Sequence, residues 1–356
     1  MGTSSYENEH GFTRREFVKS AAAGAAGFAL LGLPSDRSEA VEKYPHWGKV
    51  VVIRDDSVTV GPKIDEKIVQ SMLDEAIKLF TKGGGWPSLI PSYKTGETVA
   101  IKVNGQNPPS STHWQVVKAV ITGLVGMGVP PNHIIVWDAE GESLKYTTMS
   151  MLPFAFSGLR LTATDKLSDP FDRSKSIDIL GNPTCLSRIL TDAAHLINVP
   201  VLKNHFEAGV TFALKNHVGS GGENMKNRQK IFHHPPEPGN RLHQIFGRGK
   251  PIAESIALIN TAPDIKNKTR LIVGDALFGV YLRGPAGEPE FAYNGLIIGT
   301  DPVATDHQAR LIIENERRQN KIPIVPSLHI EQAIKLGLGA SLEEMKVAPI
   351  HRTSKG

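Results

Sequence analysis

A single cysteine, Cys185, stands in a chain of 356 residues, so neither an intramolecular disulfide nor a cysteine-ligated iron–sulfur cluster can form. Aromatic residues make up only 6% of the chain, and its 40 Lys and Arg barely exceed its 36 Asp and Glu. The basic excess is scattered, with no Lys/Arg block and no interleaved aromatics, which argues against a nucleic-acid groove. Past residue 40 no apolar run matches a hydrocarbon core of roughly 30 Å, so a mature form is expected not to span a membrane. Three catalytic signatures are also missing. Gly219-Ser220-Gly221-Gly222 lacks the Lys-Ser/Thr ending of a phosphate loop, no Gly-x-Ser-x-Gly elbow occurs, and no Gly-x-Gly-x-x-Gly follows the first strand.

What is present begins at the N-terminus. Phe12-Thr13-Arg14-Arg15-Glu16-Phe17-Val18-Lys19-Ser20 has the form of a twin-arginine export signal. A weakly apolar Ala/Gly-rich stretch from Ala21 to Leu33 follows, then a small-x-small cleavage site at Ser38-Glu39-Ala40. The expected organisation is a signal peptide over residues 1–40 and one α/β domain over 41–356, with a cap at 140–185. The twin-arginine translocation machinery is the implied partner, and the location is exported, periplasmic or extracellular. Substrates of that route cross the membrane folded, so any cofactor can have been fitted beforehand.

Hydrophobic periodicity predicts an α/β fold with a largely parallel central sheet, flanking helices and an irregular cap or insertion. Lys49–Arg54 reads as a buried strand, Asp65–Phe80 as an amphipathic helix ended by Gly83-Gly84-Gly85, and Glu97–Val103 as the next strand. In that strand Val99, Ile101 and Val103 share one face while Ala100, Lys102 and Asn104 share the other. A helix over His113–Met127 and a strand over His133–Trp137 complete a right-handed parallel crossover. Lys102, Asn104 and Asp138 should therefore meet at the C-terminal edge of the strands, the usual ligand edge of an open α/β sheet. Leu196–Val199 is a further strand, and Pro200 is read as its exit into a polar loop. Thr269–Val273 is a core strand ending at Gly274-Asp275, and Asn294–Gly299 another. Asp301-Pro302 caps a helix running through Arg318, and Ser327–Leu336 forms one more.

The loop after Pro200 holds the densest polar cluster, Lys203-Asn204-His205 and then Lys215-Asn216-His217 before a Gly run. One reading is a pocket for an anionic small molecule, a carboxylate or phosphate. Lys102, Asn104 and Asn216 bind the ligand, while His205, Lys203 and Lys215 carry acid–base chemistry. The other reading is a structural polar loop. A divalent metal is a further option, with Asp138, His217, Asp275 and Asp306 as ligands and His233-His234 nearby in sequence, although no compact ligand spacing supports it. Asp301 reads as a helix cap.

Ile101-Lys102-Val103-Asn104, Thr112-His113, Ile135-Val136-Trp137-Asp138, Ile197 to His205, Val210 to Asn216, Gly274-Asp275-Ala276 and Gly299 to Asp306 recur in order. In this the chain resembles, over roughly residues 49–345, the family catalogued as domain of unknown function 362. The resemblance implies that Lys102, Asn104, Lys203, His205, Lys215, Asn216, Asp275, Asp301 and Asp306 belong to one shared site. Many relatives resemble redox-associated proteins with a cysteine-rich ferredoxin segment; with one cysteine and an export signal, this chain departs from them. The family's Lys-Pro-Asn is here Lys102-Val103-Asn104, which keeps both polar side chains. An enzyme is expected, reaction class open; a noncatalytic exported binder of an anion or metal complex is the alternative.

Overall fold

All five residues are buried in each of Val99–Val103, Ile134–Asp138 and His195–Val199. Strands covered on both faces in this way belong to the middle of a parallel sheet. In the computed structural model, which describes residues 46–222 and 250–353, they form the centre of a ten-stranded sheet. Val99–Val103 lies parallel between the other two, with Lys102 opposite Trp137 on one side and Asn198 on the other. Arg160–Ala163 extends the sheet in parallel beyond Ile134–Asp138.

On the other flank, His195–Val199 runs parallel to Thr269–Val280, which pairs antiparallel with Phe291–Gly299. Lys49–Asp55 follows antiparallel, and Lys346–Arg352 closes that edge in parallel. The sheet is thus mixed but mostly parallel, with helices against its faces, and the expected α/β class holds.

Alternation along the strands sorts the core into two faces. Val51, Ile53, Val99, Ile101, Val103, Ile134 and Val136 pack on one face with the buried side of Glu66–Phe80 and with Trp114–Gly126. Asp65 caps the first helix by accepting from Lys67 N and Ile68 N, as its sequence position implied. On the opposite face Ala100, Ile135, Trp137 and Leu196 form a separate cluster with Ile189, Leu190 and Ile259. Each aliphatic side chain so buried contributes about 1.5–3 kcal/mol. Lys102 falls on this second face and must be accommodated among apolar neighbours.

Three expectations are corrected. The segment after Pro200 is not a loop: Val201–His205 is a fully buried strand, parallel to Thr269–Val280 and antiparallel to Gly209–Thr211. Pro200 has no N–H, yet its carbonyl accepts from Asp275 N at 2.8 Å, which carries the sheet across the interruption. Next, Thr269–Val280 does not stop at Gly274, so Asp275 is a mid-strand residue. Gly274 lets the strand pass because a Cβ there would stand 2.1 Å from Phe212 Cζ. Finally, Lys346–Arg352 is a strand where none was expected.

Between residues 140 and 187, short helices at Gly141–Lys145 and Leu152–Ala155 precede Arg160–Ala163. A hairpin of Phe171–Ile179 and Asn182–Ser187 then forms a small separate sheet with Gly221–Gly222. Among the described residues no helix is long and apolar enough to cross a membrane. The twin-arginine motif, His233 and His234 lie outside the described residues.

Candidate functional site

Strand register places the first charge pair. Lys102 sits opposite Trp137, so the next residue, Asp138, ends its strand beside the lysine amine. Lys102 Nζ lies 2.5 Å from Asp138 Oδ1 and also donates to Val103 O at 2.8 Å, with the ring of Trp137 beneath it. Asp138 accepts further from Ala139 N at 2.7 Å and Gly105 N at 2.6 Å. Burial alone would raise the Asp138 pKa, but the Lys102 charge and these hydrogen bonds outweigh it and hold the carboxyl below its usual range. Gly219 closes over the pair: a Cβ there would come within 3.2 Å of Asp138 Oδ1 and 3.3 Å of Lys102 Nζ.

Lys203 is a different kind of lysine. Its side chain is buried, at 1% exposure, and Nζ donates to Asn104 Oδ1 at 2.9 Å and Gln106 O at 3.3 Å. Among the described residues it forms no ion pair with a carboxylate. Burial, then the positive charge of Lys215, push its pKa down to about 7, with the Asp138 charge pulling weakly the other way. Two carbonyl-type acceptors use both N–H groups of a neutral amine and leave its lone pair. Asn104 is thereby the residue that holds Lys203. It is itself fixed by a reciprocal pair with Thr112: Asn104 N donates to Thr112 Oγ1 at 3.0 Å, and Thr112 N donates to Asn104 O at 2.9 Å.

Beneath these lysines runs a buried amide ladder. Asn216 Nδ2 donates to Asn198 Oδ1 at 2.7 Å and to Lys102 O at 3.4 Å. Asn198 Nδ2 donates to Ala213 O at 2.9 Å and faces His217 Nε2 at 3.2 Å. Since an amide nitrogen only donates, His217 Nε2 must accept, which places the imidazole proton on Nδ1, 3.0 Å from Ser220 Oγ. Burial and then the Lys102 charge lower the His217 pKa to about 3. His217 is a fixed neutral ring. Asn216, expected to orient a ligand, instead joins two strands to the Ala213–Asn216 turn of helix.

His205 lies two residues beyond Lys203 in the same strand, so both side chains leave one face. Its Nδ1 accepts from Glu207 N at 3.1 Å and Ala208 N at 3.2 Å, which puts the proton of the neutral ring on Nε2. Lys215 is half-buried and acts on Lys203 through its charge.

The four expected metal ligands do not converge. Asp138 is committed to Lys102, and His217 to Asn198 and Ser220. Asp306 accepts from Ala213 N at 2.6 Å and Leu214 N at 3.3 Å and faces His329 Nε2 at 3.3 Å, with burial raising its pKa. Asp275 holds His113. Among the described residues no group of three or more His, Cys, Asp or Glu side chains could hold a metal ion. Asp301 is a cap, as read, accepting from Val303 N and Ala304 N.

One arrangement escaped the sequence. Asp275 Oδ2 accepts from both the backbone N and Nδ1 of His113, each at 2.7 Å. Burial would lower the His113 pKa, but Asp275 raises it. His113 is one-fifth exposed, whereas Asp275 is fully buried. A buried acid holding one nitrogen of a partly exposed histidine is the base-and-orienter arrangement of acid–base sites. The only sequence signal was Thr112-His113 at the start of the crossover helix; Asp275, 162 positions away, could not be paired with it by spacing.

No curated protein matches this chain. Among solved structures it is similar to the lactate racemase apoprotein from Thermoanaerobacterium thermosaccharolyticum, at 13% sequence identity and a TM-score of 0.42. The match covers 74% of this chain and 56% of that one, so the chain spans little over half the length of that protein. The family described as Domain of unknown function (DUF362) matches residues 99–310, more than half of the sequence and every buried polar group from Lys102 to Asp306 described above, and the chain belongs to it.

Proposed function

We propose that the protein binds a small anionic ligand, a carboxylate or phosphate, at the C-terminal edge of its parallel strands and is an enzyme using Lys/His acid–base chemistry. The observation that carries this reading is Lys203: a buried amine, held by two uncharged acceptors, beside the cation of Lys215. A buried lysine kept without a counter-carboxylate costs stability, and buried groups with strongly shifted pKa values cluster at functional sites. Lys215 supplies attraction for an anion, Asn104 fixes the amine, and His205 and His113 are the proton carriers. Lys102 and Asp138 act as the neutral floor on which this arrangement stands. A divalent metal would have to come with the ligand or draw on residues other than the four first considered.

Calorimetric titration of the purified chain with phosphate, acetate and pyruvate tests the reading. Saturable one-to-one binding to at least one anion, weakened in Lys215→Gln, is expected; no saturable binding to any of them would contradict it. The noncatalytic alternative predicts bound ligand recovered unchanged. The enzyme reading predicts turnover that is lost in His205→Ala while binding persists.

We further propose that residues 1–40 form a cleaved twin-arginine signal and that the mature protein, residues 41–356, works outside the cytoplasm. The Arg14-Arg15 motif and the Ser38-Glu39-Ala40 site support this. A reporter fused after residue 40 should be exported, and Arg14→Lys/Arg15→Lys should retain it in the cytoplasm.

A further inference from the structure

We propose that residues 106–111 form a flap over the Lys203 amine, latched by the carbonyl of Pro285, and that the flap lifts to admit an anion. The inference rests on the anion-site reading and supplies its route of entry. Lys203 is 1% exposed, whereas Gln106, whose carbonyl accepts from its Nζ at 3.3 Å, is an exposed residue. On that side this short stretch of chain is the cover between the amine and solvent. Both of its roots are fixed. Gly105 N donates to Asp138 Oδ2 at 2.6 Å, and a Cβ at Gly105 would stand 2.9 Å from Leu144 Cδ2. Thr112, paired with Asn104, donates from Oγ1 to Val199 O at 2.9 Å.

Between the roots the segment is bonded mostly to itself. Ser110 N donates to Asn107 O at 3.0 Å, and Ser111 N and Ser111 Oγ both donate to Pro108 O, at 3.2 Å and 2.9 Å. Pro108 and Pro109 have fixed φ and no N–H, so the turn is stiff and offers its neighbours few donors. Among the described residues, its hydrogen bonds to the rest of the chain end on two groups, Lys203 Nζ and Pro285 O. Asn107 Nδ2 donates to Pro285 O at 2.9 Å and Ser110 Oγ at 3.5 Å. The post that carries the latch is firm. Gly284 N donates to Asn204 Oδ1 at 2.7 Å, and Glu290 accepts from Tyr281 N and Leu282 N, each at 2.7 Å. The latch is weak by comparison, since a neutral hydrogen bond shifts an opening equilibrium by only about two- to tenfold. Lifting the flap breaks the longer of the amine's two bonds, that to Gln106 O, and leaves Asn104 in place at 2.9 Å. An anion oxygen that enters takes the position Gln106 O held.

Site-resolved acetylation tests the flap on the intact chain. The native protein is treated with N-acetoxysuccinimide, without urea and with urea below the unfolding transition, and mapped by mass spectrometry. In the unaltered protein Lys203 should react more slowly than exposed Lys94 and at a rate independent of urea. Lys102, buried outside the flap, should react only as fast as global unfolding allows. Asn107→Gly keeps the left-handed backbone, at φ 61°, and removes one latch donor; Ser110→Ala removes the other. Each should raise the Lys203 rate by about two- to tenfold and leave Lys102 unchanged. A Lys203 rate that climbs with urea in step with Lys102 would show that only whole-molecule unfolding exposes the amine, and overturns the inference. An unchanged Lys203 rate in both latch variants does the same. Because the urea series uses the unaltered protein, poor folding of a variant does not blunt it. Calorimetric titration with phosphate and acetate separates the two readings. Saturable binding beside a failed flap test removes the flap and leaves the anion site, whereas an opening flap with no anion bound leaves the flap and removes the site.

Discussion

The amine of Lys102 and the carboxylate of Asp138 meet at 2.5 Å with both side chains almost wholly withdrawn from water, at 1% and 9% exposure. Each is the last polar group of a central parallel strand, and Gly219 packs so close that a Cβ on it would stand 3.2 Å from Asp138 Oδ1 and 3.3 Å from Lys102 Nζ. The pair neutralises itself, so Lys102 adds no net charge to the site.

Removing one member of that pair strands the other. Lys102→Met or Asp138→Leu alone should destabilise the fold by about 3–5 kcal/mol, whereas the double replacement should recover much of the loss. Chemical denaturation midpoints of the four proteins measure the coupling, and independent, additive effects would contradict the description of a buried ion pair. Because the folded pKa of Asp138 lies below its unfolded value, its contribution is present above about pH 3.9 and is lost as pH falls through the folded value.

His217 should make the protein sensitive to mild acid. Its folded pKa of about 3 lies below the unfolded value of about 6.5, so between those limits the unfolded chain binds a proton that the folded one refuses. Stability should therefore fall as pH drops through that window, by up to about 1.4 kcal/mol per pH unit from this group. His217→Gln should show a shallower slope of stability between about pH 6 and pH 4; an unchanged slope would mean that the ring takes up a proton in the fold.

At His113 the sign is reversed. Asp275 raises the folded pKa above the unfolded one, so the stabilisation is complete below about pH 6.5 and is lost as pH rises through the folded value. Asp275→Asn should bring the His113 titration, followed by imidazole NMR, back toward or below the usual histidine range. Retention of the raised value would show that another group is responsible.

Local chemistry explains which parts of the molecule could be read from the sequence. The alternation of Val99 to Asn104 was legible because strand period alone decides which side chains share a face. Asp301 was legible as a cap, yet only in part. Its Oδ1 accepts from Val303 N and Ala304 N, while Oδ2 accepts from Gly48 N at 3.0 Å and Ala340 N at 2.8 Å, two amides remote in sequence.

The strand Val201–His205 was misread for a related reason. Lys203, Asn204 and His205 have the composition of a solvated loop, and what lets them be buried is supplied from elsewhere. Asn104 takes the lysine, and Gly284 N donates to Asn204 Oδ1 at 2.7 Å while Leu282 O accepts from Asn204 Nδ2 at 3.2 Å. Gathering Lys102, Asn104 and Asp138 at one edge followed from the crossover; dividing them into an inert pair and an amine holder did not.

The central claim is that the Lys203 amine gives up its proton near neutral pH, and a direct titration of that one side chain tests it most closely. With lysine labelled by carbon-13 at the ε position, and Lys203→Arg used to assign the resonance, the Lys203 signal should titrate near pH 7. A midpoint at or above about 10, the value of an exposed lysine, would contradict the account.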